Sequence, residues 1–269
     1  MLLGYPGAVS GRRPDEIWED TVDEGERRLS RSTSGLAATG FAGGVEVLFG
    51  IVVMIVTTAA FTPRLGAEGA HVVGAVAFGL GFVLITIGRA ELFTENFLVP
   101  VSAVYAGRAT VRTLVRMWVV TLVLNLAGLA LFAALFCVGG VLEPHALAAA
   151  GTLADTFTQR DLLPAFLSAV AAGTVMTLFT WVIAAAEDAT GRVLLSVLIG
   201  FVLGAPSLNH AVVGFGEITF GLLAGTTAGD VGDLVRNLGV AIAGNLVGGI
   251  GLVFATRLAQ VRGEPGQAP

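Results

Sequence analysis

The chain has 269 residues, 55% of them hydrophobic and 13% charged, with a formal net charge of −5. An average soluble domain carries about 25% charged residues. With a mean hydropathy of +0.83, this chain lacks the polar surface of a water-soluble globule. The same composition excludes a disordered segment, a collagen-like chain (glycine is abundant but has no G-X-Y period) and a basic nucleic-acid module. The length fits one all-α membrane domain of about six passes at roughly 20 residues per pass.

In chain order, residues 1–35 form the one long polar stretch. Pro14 suits the first turn of a helix. Asp15, Glu16, Glu19 and Asp20 come early and Arg27, Arg28 and Arg31 late, an order that complements a helix dipole. Ile17, Trp18, Val22 and Leu29 make a loose apolar stripe, so the segment reads either as an amphipathic helix, lying on the membrane or on the protein's own cytoplasmic face, or as a solvated lead-in. A transport domain spanning 36–258 and a flexible cytoplasmic tail over 259–269 follow from the same reading. The first pass is expected over about 36–61 with one acid, Glu46. The second starts near His71, runs uncharged to Gly88, meets GRAELFTEN and resumes as FLVPVSAVYAG to residue 107. The third is expected over 117–142, the fourth over 162–186, and residues 143–161 as a mixed loop. The fifth runs to GAPSLNH and continues as AVVGFGEITFGLL; the sixth covers 237–256.

Arginine distribution sets the expected orientation. The N-terminus, the 2–3 and 4–5 connections and the C-terminus carry most of the arginines, including Arg12, Arg13, Arg108, Arg112, Arg116, Arg192, Arg257 and Arg262. The opposite connections carry Arg64, Arg160 and Arg236, outnumbered by acids. Both termini are therefore expected in the cytoplasm, in a multi-pass protein of the cell (plasma or inner) membrane with the lipid bilayer as its main partner. The single cysteine, Cys137, excludes an internal disulfide, and no cluster of metal ligands or nucleophile–base motif is apparent. No metal, cofactor, enzyme activity or nucleic-acid partner is expected.

The informative feature is a break in passes 2 and 5. Arg89, Glu91, Glu95 and Asn96 sit between apolar pieces, the second of them too short to cross a ~30 Å core alone. In the other half, Gly204, Pro206, Asn209 and His210 interrupt an apolar run. Irregular backbone at membrane depth is tolerated only inside protein or beside a water-filled cavity. One break per half points to a transport path near the midplane. NLAGLALF from Asn125 and NLVGGIGLVF from Asn245 make a weak internal repeat; with three passes per half, the halves would be inverted. Asn125 and Asn245 are expected to tie broken-helix backbone to passes 3 and 6.

AELFTENFLVPV, GRATVRTLVRMW…NLAG, LNHAVVGFGE and GNLVGG resemble the formate–nitrite transporter family, specifically a less characterised branch bearing FTEN and HxVVGxxE. The resemblance implies six passes with an aquaporin-like inverted 3+3 repeat, and a homo-oligomer, a pentamer, with one pore per protomer. It implies a channel or proton-linked transporter in which a small monovalent weak-acid anion (formate, nitrite or acetate) is neutralised near a central histidine, here His210, and slips past apolar constrictions. By position, Phe78, Phe82 and Leu203 line those constrictions, with Leu92, Phe93, Thr94 and Asn209 beside them. The family's anion-drawing lysine is missing: the chain contains no lysine, Phe157 stands at the aligned place, and Arg160 or Arg89 remains as a substitute. A channel for small neutral solutes is the alternative. Arg89 is expected to pair with Glu91, Glu95 or Glu217 in one charge network, because buried charges need partners.

Overall fold

The computed structural model describes residues 11–263, and the described part is helical. Helix α1 (Pro14–Leu29) begins at Pro14, with Asp15 and Glu16 in its first turn and Arg27 and Arg28 in its last. Helix α2 (Thr33–Gly88) starts on Ser32, whose hydroxyl accepts from the Gly35 N–H (3.1 Å), and is broken inside at Gly66. At φ 72°, ψ 173°, Gly66 takes a backbone conformation open essentially to glycine alone. The arms 33–65 and 67–88 fold back on each other there. They meet glycine to glycine: a Cβ on Gly50 would lie 2.9 Å from the Gly81 Cα.

A short 3-10 turn (Phe93–Phe97) and helix α3 (Val99–Tyr105) follow, then α4 (Val111–Phe136), α5 (Pro144–Thr158), α6 (Leu162–Ala185), α7 (Ala189–Gly204), α8 (Ala211–Ala224) and α9 (Val231–Leu246). The last helix continues through a π-helical stretch (Val247–Phe254) into α10 (Ala255–Arg262). Starts are fixed by side-chain caps: Thr110 with Thr113 on α4, Asp188 on Gly191 N for α7, and Asp230 with Asp233 on α9. Gly225, left-handed at φ 66°, closes α8.

Among the described residues four helical stretches are long and apolar enough to cross a membrane: Thr33–Gly88, Val111–Phe136, Leu162–Ala185 and Val231–Arg262. Their outward faces are aliphatic. On α4, Val111, Val115, Val119 and Val123 recur every fourth residue and are 47–64% exposed. Such a stripe would be insoluble in water and suits lipid or a neighbouring subunit. Inside, small residues bring backbones into contact. A Cβ on Gly44 would fall 2.1 Å from the Asn125 carbonyl oxygen, and one on Gly173 2.2 Å from the Asn245 carbonyl oxygen.

The structure departs from the sequence expectation in four places. The third apolar helix is displaced, ending at Phe136, because Gly139 and Gly140 open a turn within the apolar run. The expected loop 143–161 is largely helix α5, with Ala150, Ala154 and Phe157 buried; Pro144 begins it and the alanines favour it. The last helix extends at both ends beyond 237–256. The tail expected from 259 is helical through Arg262, while residues 264–269, like residues 1–10 of the N-terminal segment, lie outside the described residues.

Helix α1 docks on the protein. Ile17, Thr21, Val22, Gly25 and Leu29 are buried, and Gly25 lets α1 close onto α3, where a Cβ would lie 2.2 Å from the Val99 carbonyl oxygen. Trp18 packs edge-on to Tyr105 and against Phe254. Within α1, burial opposes ionisation of Glu24, but Arg27 and Arg28 overcome it and hold its carboxyl at about 2, below the usual 4.5. A depressed carboxylate stabilises the fold fully above its unfolded value and loses that contribution as pH falls through its folded value. Amide protection of α1, corrected for intrinsic exchange, should therefore weaken as pH falls from 4.5 towards 2, and Glu24→Gln should remove that pH-dependent increment.

Candidate functional site: two helix breaks that meet

Each break leaves backbone groups that no helix can satisfy, and one asparagine answers each. Asn125 on α4 accepts from the Phe93 N–H (Oδ1, 2.8 Å) and donates from Nδ2 to the carbonyls of Gly40 (2.7 Å) and Glu91 (2.9 Å). Asn245 on α9 accepts from the Ala211 N–H (2.9 Å) and donates to the carbonyls of Ala169 (2.8 Å) and Asn209 (3.0 Å). Both side chains are fully buried. Each thus binds the donor just past a break, an acceptor just before it, and a carbonyl of a neighbouring helix. An unpaired buried polar group costs about 1–3 kcal/mol, so these six bonds keep the breaks in shape.

The breaks touch each other through Thr94 and His210. The Thr94 Oγ1 lies 2.5 Å from His210 Nε2. His210 also caps α8, its Nδ1 accepting from the Val213 N–H at 3.1 Å. An Nδ1 that accepts carries no proton, so the neutral ring keeps its proton on Nε2 and donates it to Thr94. The Thr94 hydroxyl hydrogen is then free to point at another acceptor.

Aromatic and aliphatic side chains enclose this pair. Phe78, Phe82, Leu92, Phe93 and Leu203 are all buried in one apolar cluster. Phe78 and Phe82 stack edge-to-face (5.5 Å), Phe82 continues to Phe179 (5.9 Å), and Phe93 meets Phe97 (5.0 Å). Cavities lie on either side along arm 67–88. One of about 600 Å³ is lined by Met54, Thr58, His71, Leu153, Thr156 and Ser207. The other, of about 100 Å³, is lined by Ile85, Thr86, Glu91 and Phe179 together with residues of α1. Fourteen residues of helix, about 21 Å at 1.5 Å each, separate His71 from Ile85, and Phe78 and Phe82 fall between them.

Other candidate residues are placed differently from expectation. Asn209 does not join the Thr94–His210 pair. Its side chain exchanges hydrogen bonds with Asn237 (2.9 and 3.1 Å) and donates to the Ala165 carbonyl, bracing the break against α6 and α9. Asn237 was not singled out from the sequence, although it lies eight residues before Asn245 on the same helical face. The expected network of Arg89, Glu91, Glu95 and Glu217 does not form. Glu91 is paired with Arg31 (2.6 Å) and Arg28 (3.4 Å) from the end of α1. Glu95 accepts from the Leu92 N–H within its own turn (3.4 Å). Arg89 makes no ion pair among the described residues. Glu217 sits on α8 beyond the other break, its Oε2 without a hydrogen-bond partner among the described residues. Arg160 lies over the ring of Phe157 (5.4 Å) and donates to the Ser168 hydroxyl (2.9 Å) and the Ser207 carbonyl (3.2 Å). Burial lowers the Arg160 pKa, partly offset by the charge of Glu217.

Residues 15–259 match the family model described as formate/nitrite transporter. The chain belongs to the formate/nitrite transporter family. Its relatives include an uncharacterized transporter, YrhG, of Bacillus subtilis (27% identical; 90% of this chain, 92% of the relative) and the formate channel BtFdhC of Bacillus thuringiensis (26%; 90% and 92%). The fold agrees with a solved FNT family ion channel at TM-score 0.78 (18% identical; 91% of this chain, 98% of that one). It also agrees with a pentameric formate channel with formate bound at 0.69 (19%; 84% and 96%). As a member of the formate/nitrite transporter family the protein is a multi-pass membrane transporter or channel, not an enzyme.

Removing either asparagine tie leaves three buried groups without their partner. Asn125→Ala and Asn245→Ala should each destabilise the protein by at least about 3 kcal/mol, at roughly 1–3 per orphaned group. The check is the thermal midpoint in detergent; an unshifted midpoint would show that the ties do not hold the breaks.

Proposed function

We propose that the chain forms a passage for small monovalent weak-acid anions of the formate, nitrite or acetate kind, with the anion neutralised beside His210. The observation that carries this reading is the Thr94–His210 contact at the junction of the two breaks, enclosed by apolar side chains and flanked by a cavity on each side. The formate channels among the relatives and solved structures support the substrate class.

In this reading the chain crosses the membrane six times. Arm 33–65 is the first pass; arm 67–88, the 3-10 turn and α3 make the second, interrupted pass. Then come α4, α6, the interrupted α7–α8 pair, and α9–α10. The matching bonds of Asn125 and Asn245 support an inverted 3+3 repeat, each asparagine lying on the third pass of its half. The arginine distribution supports cytoplasmic termini in the plasma or inner membrane. The exposed aliphatic faces support a homo-oligomer, and the neighbouring formate channel supports a pentamer.

Bringing a bare carboxylate into a dry constriction costs many kcal/mol. Protonating it at pH 7, from a pKa near 4, costs about 4 kcal/mol, and the neutral acid then passes between Phe78, Phe82, Leu203 and Leu92 with little further penalty. The Thr94 hydroxyl and the His210 ring supply donors where the charge must be lost. Because the Val213 N–H occupies Nδ1, the neutral ring cannot itself give up a proton: it first takes one from solvent to become imidazolium, releasing the Val213 N–H, and the Nε2 proton then passes through Thr94 to the anion, leaving the ring neutral.

The test is formate and nitrite uptake into proteoliposomes at two external pH values. Uptake by the wild type should accelerate as external pH falls. His210→Ala removes the ring and the α8 cap together, so His210→Asn, which keeps a side-chain acceptor for Val213 but cannot titrate, is the decisive variant. Both should flatten the pH dependence. An Asn variant with the wild-type profile would rule out proton exchange at His210, and swelling with small neutral solutes without anion uptake would overturn the anion reading.

A further inference from the structure

The small cavity beside α1 has an unusual charge inventory. Five arginines (Arg27, Arg28, Arg31, Arg89 and Arg192) line it, against Glu24, Glu91 and Glu95. Four of the five are engaged. Arg27 grips Glu24 with two bonds of 2.6 Å, and Arg28 bridges Glu24 (2.8 Å) and Glu91 (3.4 Å). Arg31 holds Glu91 at 2.6 Å, and Arg192 donates twice to the Ala186 carbonyl (3.2 and 3.3 Å). Glu91, almost fully buried, therefore presents no net charge to the cavity.

Arg89 is the exception. It is exposed and makes no hydrogen bond or ion pair among the described residues. Its backbone is left-handed, at φ 60°, ψ 27°, a conformation that costs an L-residue roughly 1–2 kcal/mol and that glycine would take without penalty. An arginine persists at a position that asks for glycine, in the lining of the cavity and without an ion-pair partner among the described residues. The cavity across the constriction is different: no arginine lines it, and Glu68, His71 and His145 do.

We infer that Arg89 is an anion-capturing residue at the mouth next to α1, recognising a small carboxylate or oxoanion through its planar fork of N–H donors. The inference deepens the anion reading above and rests on it. A guanidinium binds both oxygens of a carboxylate in one plane. Arg28 and Arg31 mask Glu91, and Glu95, the remaining carboxylate of the lining, is buried and turned onto the Leu92 N–H (3.4 Å), so neither pairs with that fork. The two mouths then differ in affinity, and the passage loads anion at lower concentration from the α1 side.

The full-length protein is assayed for initial formate flux in vesicles of both orientations, with sidedness read from protease access to the N-terminus. In the wild type the half-saturating formate concentration should be lower from the α1 side. Arg89→Gln should raise it about tenfold on that side alone, in line with the strength of a charge-assisted hydrogen bond, with the maximal rate little changed. Arg89→Lys should recover part of the loss. Arg89→Gly relieves the backbone, so it should keep or raise the thermal midpoint while showing the same loss of affinity. An Arg89→Gln or Arg89→Gly protein with wild-type half-saturation on the α1 side, or one altered equally on both sides, would overturn the role of Arg89. Absence of formate flux in the wild type would instead strike the anion reading itself.

Discussion

Everything in this structure depends on solving one problem: two helices stop where no water is available to satisfy their ends. The solution is a single primary amide per break, placed on an otherwise apolar helix. An amide side chain suits the task because it both donates and accepts. It matches a backbone N–H on one side of the interruption and a carbonyl on the other. The glycines opposite make the arrangement possible, since Gly44 and Gly173 let neighbouring backbones press against Asn125 and Asn245 closer than any Cβ would permit. Tight glycine contact and amide bonding are therefore one device, and the interrupted segments hold their shape without solvent.

Charge is handled by partition. At the first break Glu91 pairs with Arg28 and Arg31 from the end of α1, Glu95 bonds within its own turn, and Thr94 is left to meet His210. Around the second break, Arg160 is drawn onto Phe157 and the Ser207 carbonyl. The ring–cation contact occupies the place that the family resemblance assigns to a lysine. A guanidinium is less strongly hydrated than an ammonium and settles on an aromatic face with less penalty. That explains how a chain without lysine keeps a cation in this region.

Much of the plan was legible in the residues. Both breaks were visible because Arg89, Glu91, Glu95, Pro206, Asn209 and His210 interrupt runs that are otherwise uniformly apolar, and apolar runs in a lipid protein leave little ambiguity. The roles of Asn125 and Asn245 followed from polar side chains alone on such helices. What the sequence hid was partnership across long separations. Glu91 and Arg89 are neighbours in the chain, so local reasoning paired them, yet α1 returns over the first break and supplies Arg28 and Arg31. Asn209 looked like part of the passage because it precedes His210, but alternate residues in an extended segment point opposite ways, and it turns to Asn237. Helix α5 is hard to see in the sequence because its apolar residues are mostly alanines, in runs too short to signal a membrane pass.

The seating of α1 has a consequence for how the molecule is made. Arg31 and Glu91 are separated by 60 residues, and the surface under Gly25 belongs to α3. Because α1 precedes α3 in the chain, it cannot reach its seat until α3 has been synthesised and the first interrupted pass has been threaded. Glu91, in turn, enters its dry position unneutralised unless that early segment is waiting beside it. In biogenesis the amino-terminal helix acts as an attendant held in reserve, and the order of translation ensures that the cations are on hand before the carboxylate that needs them.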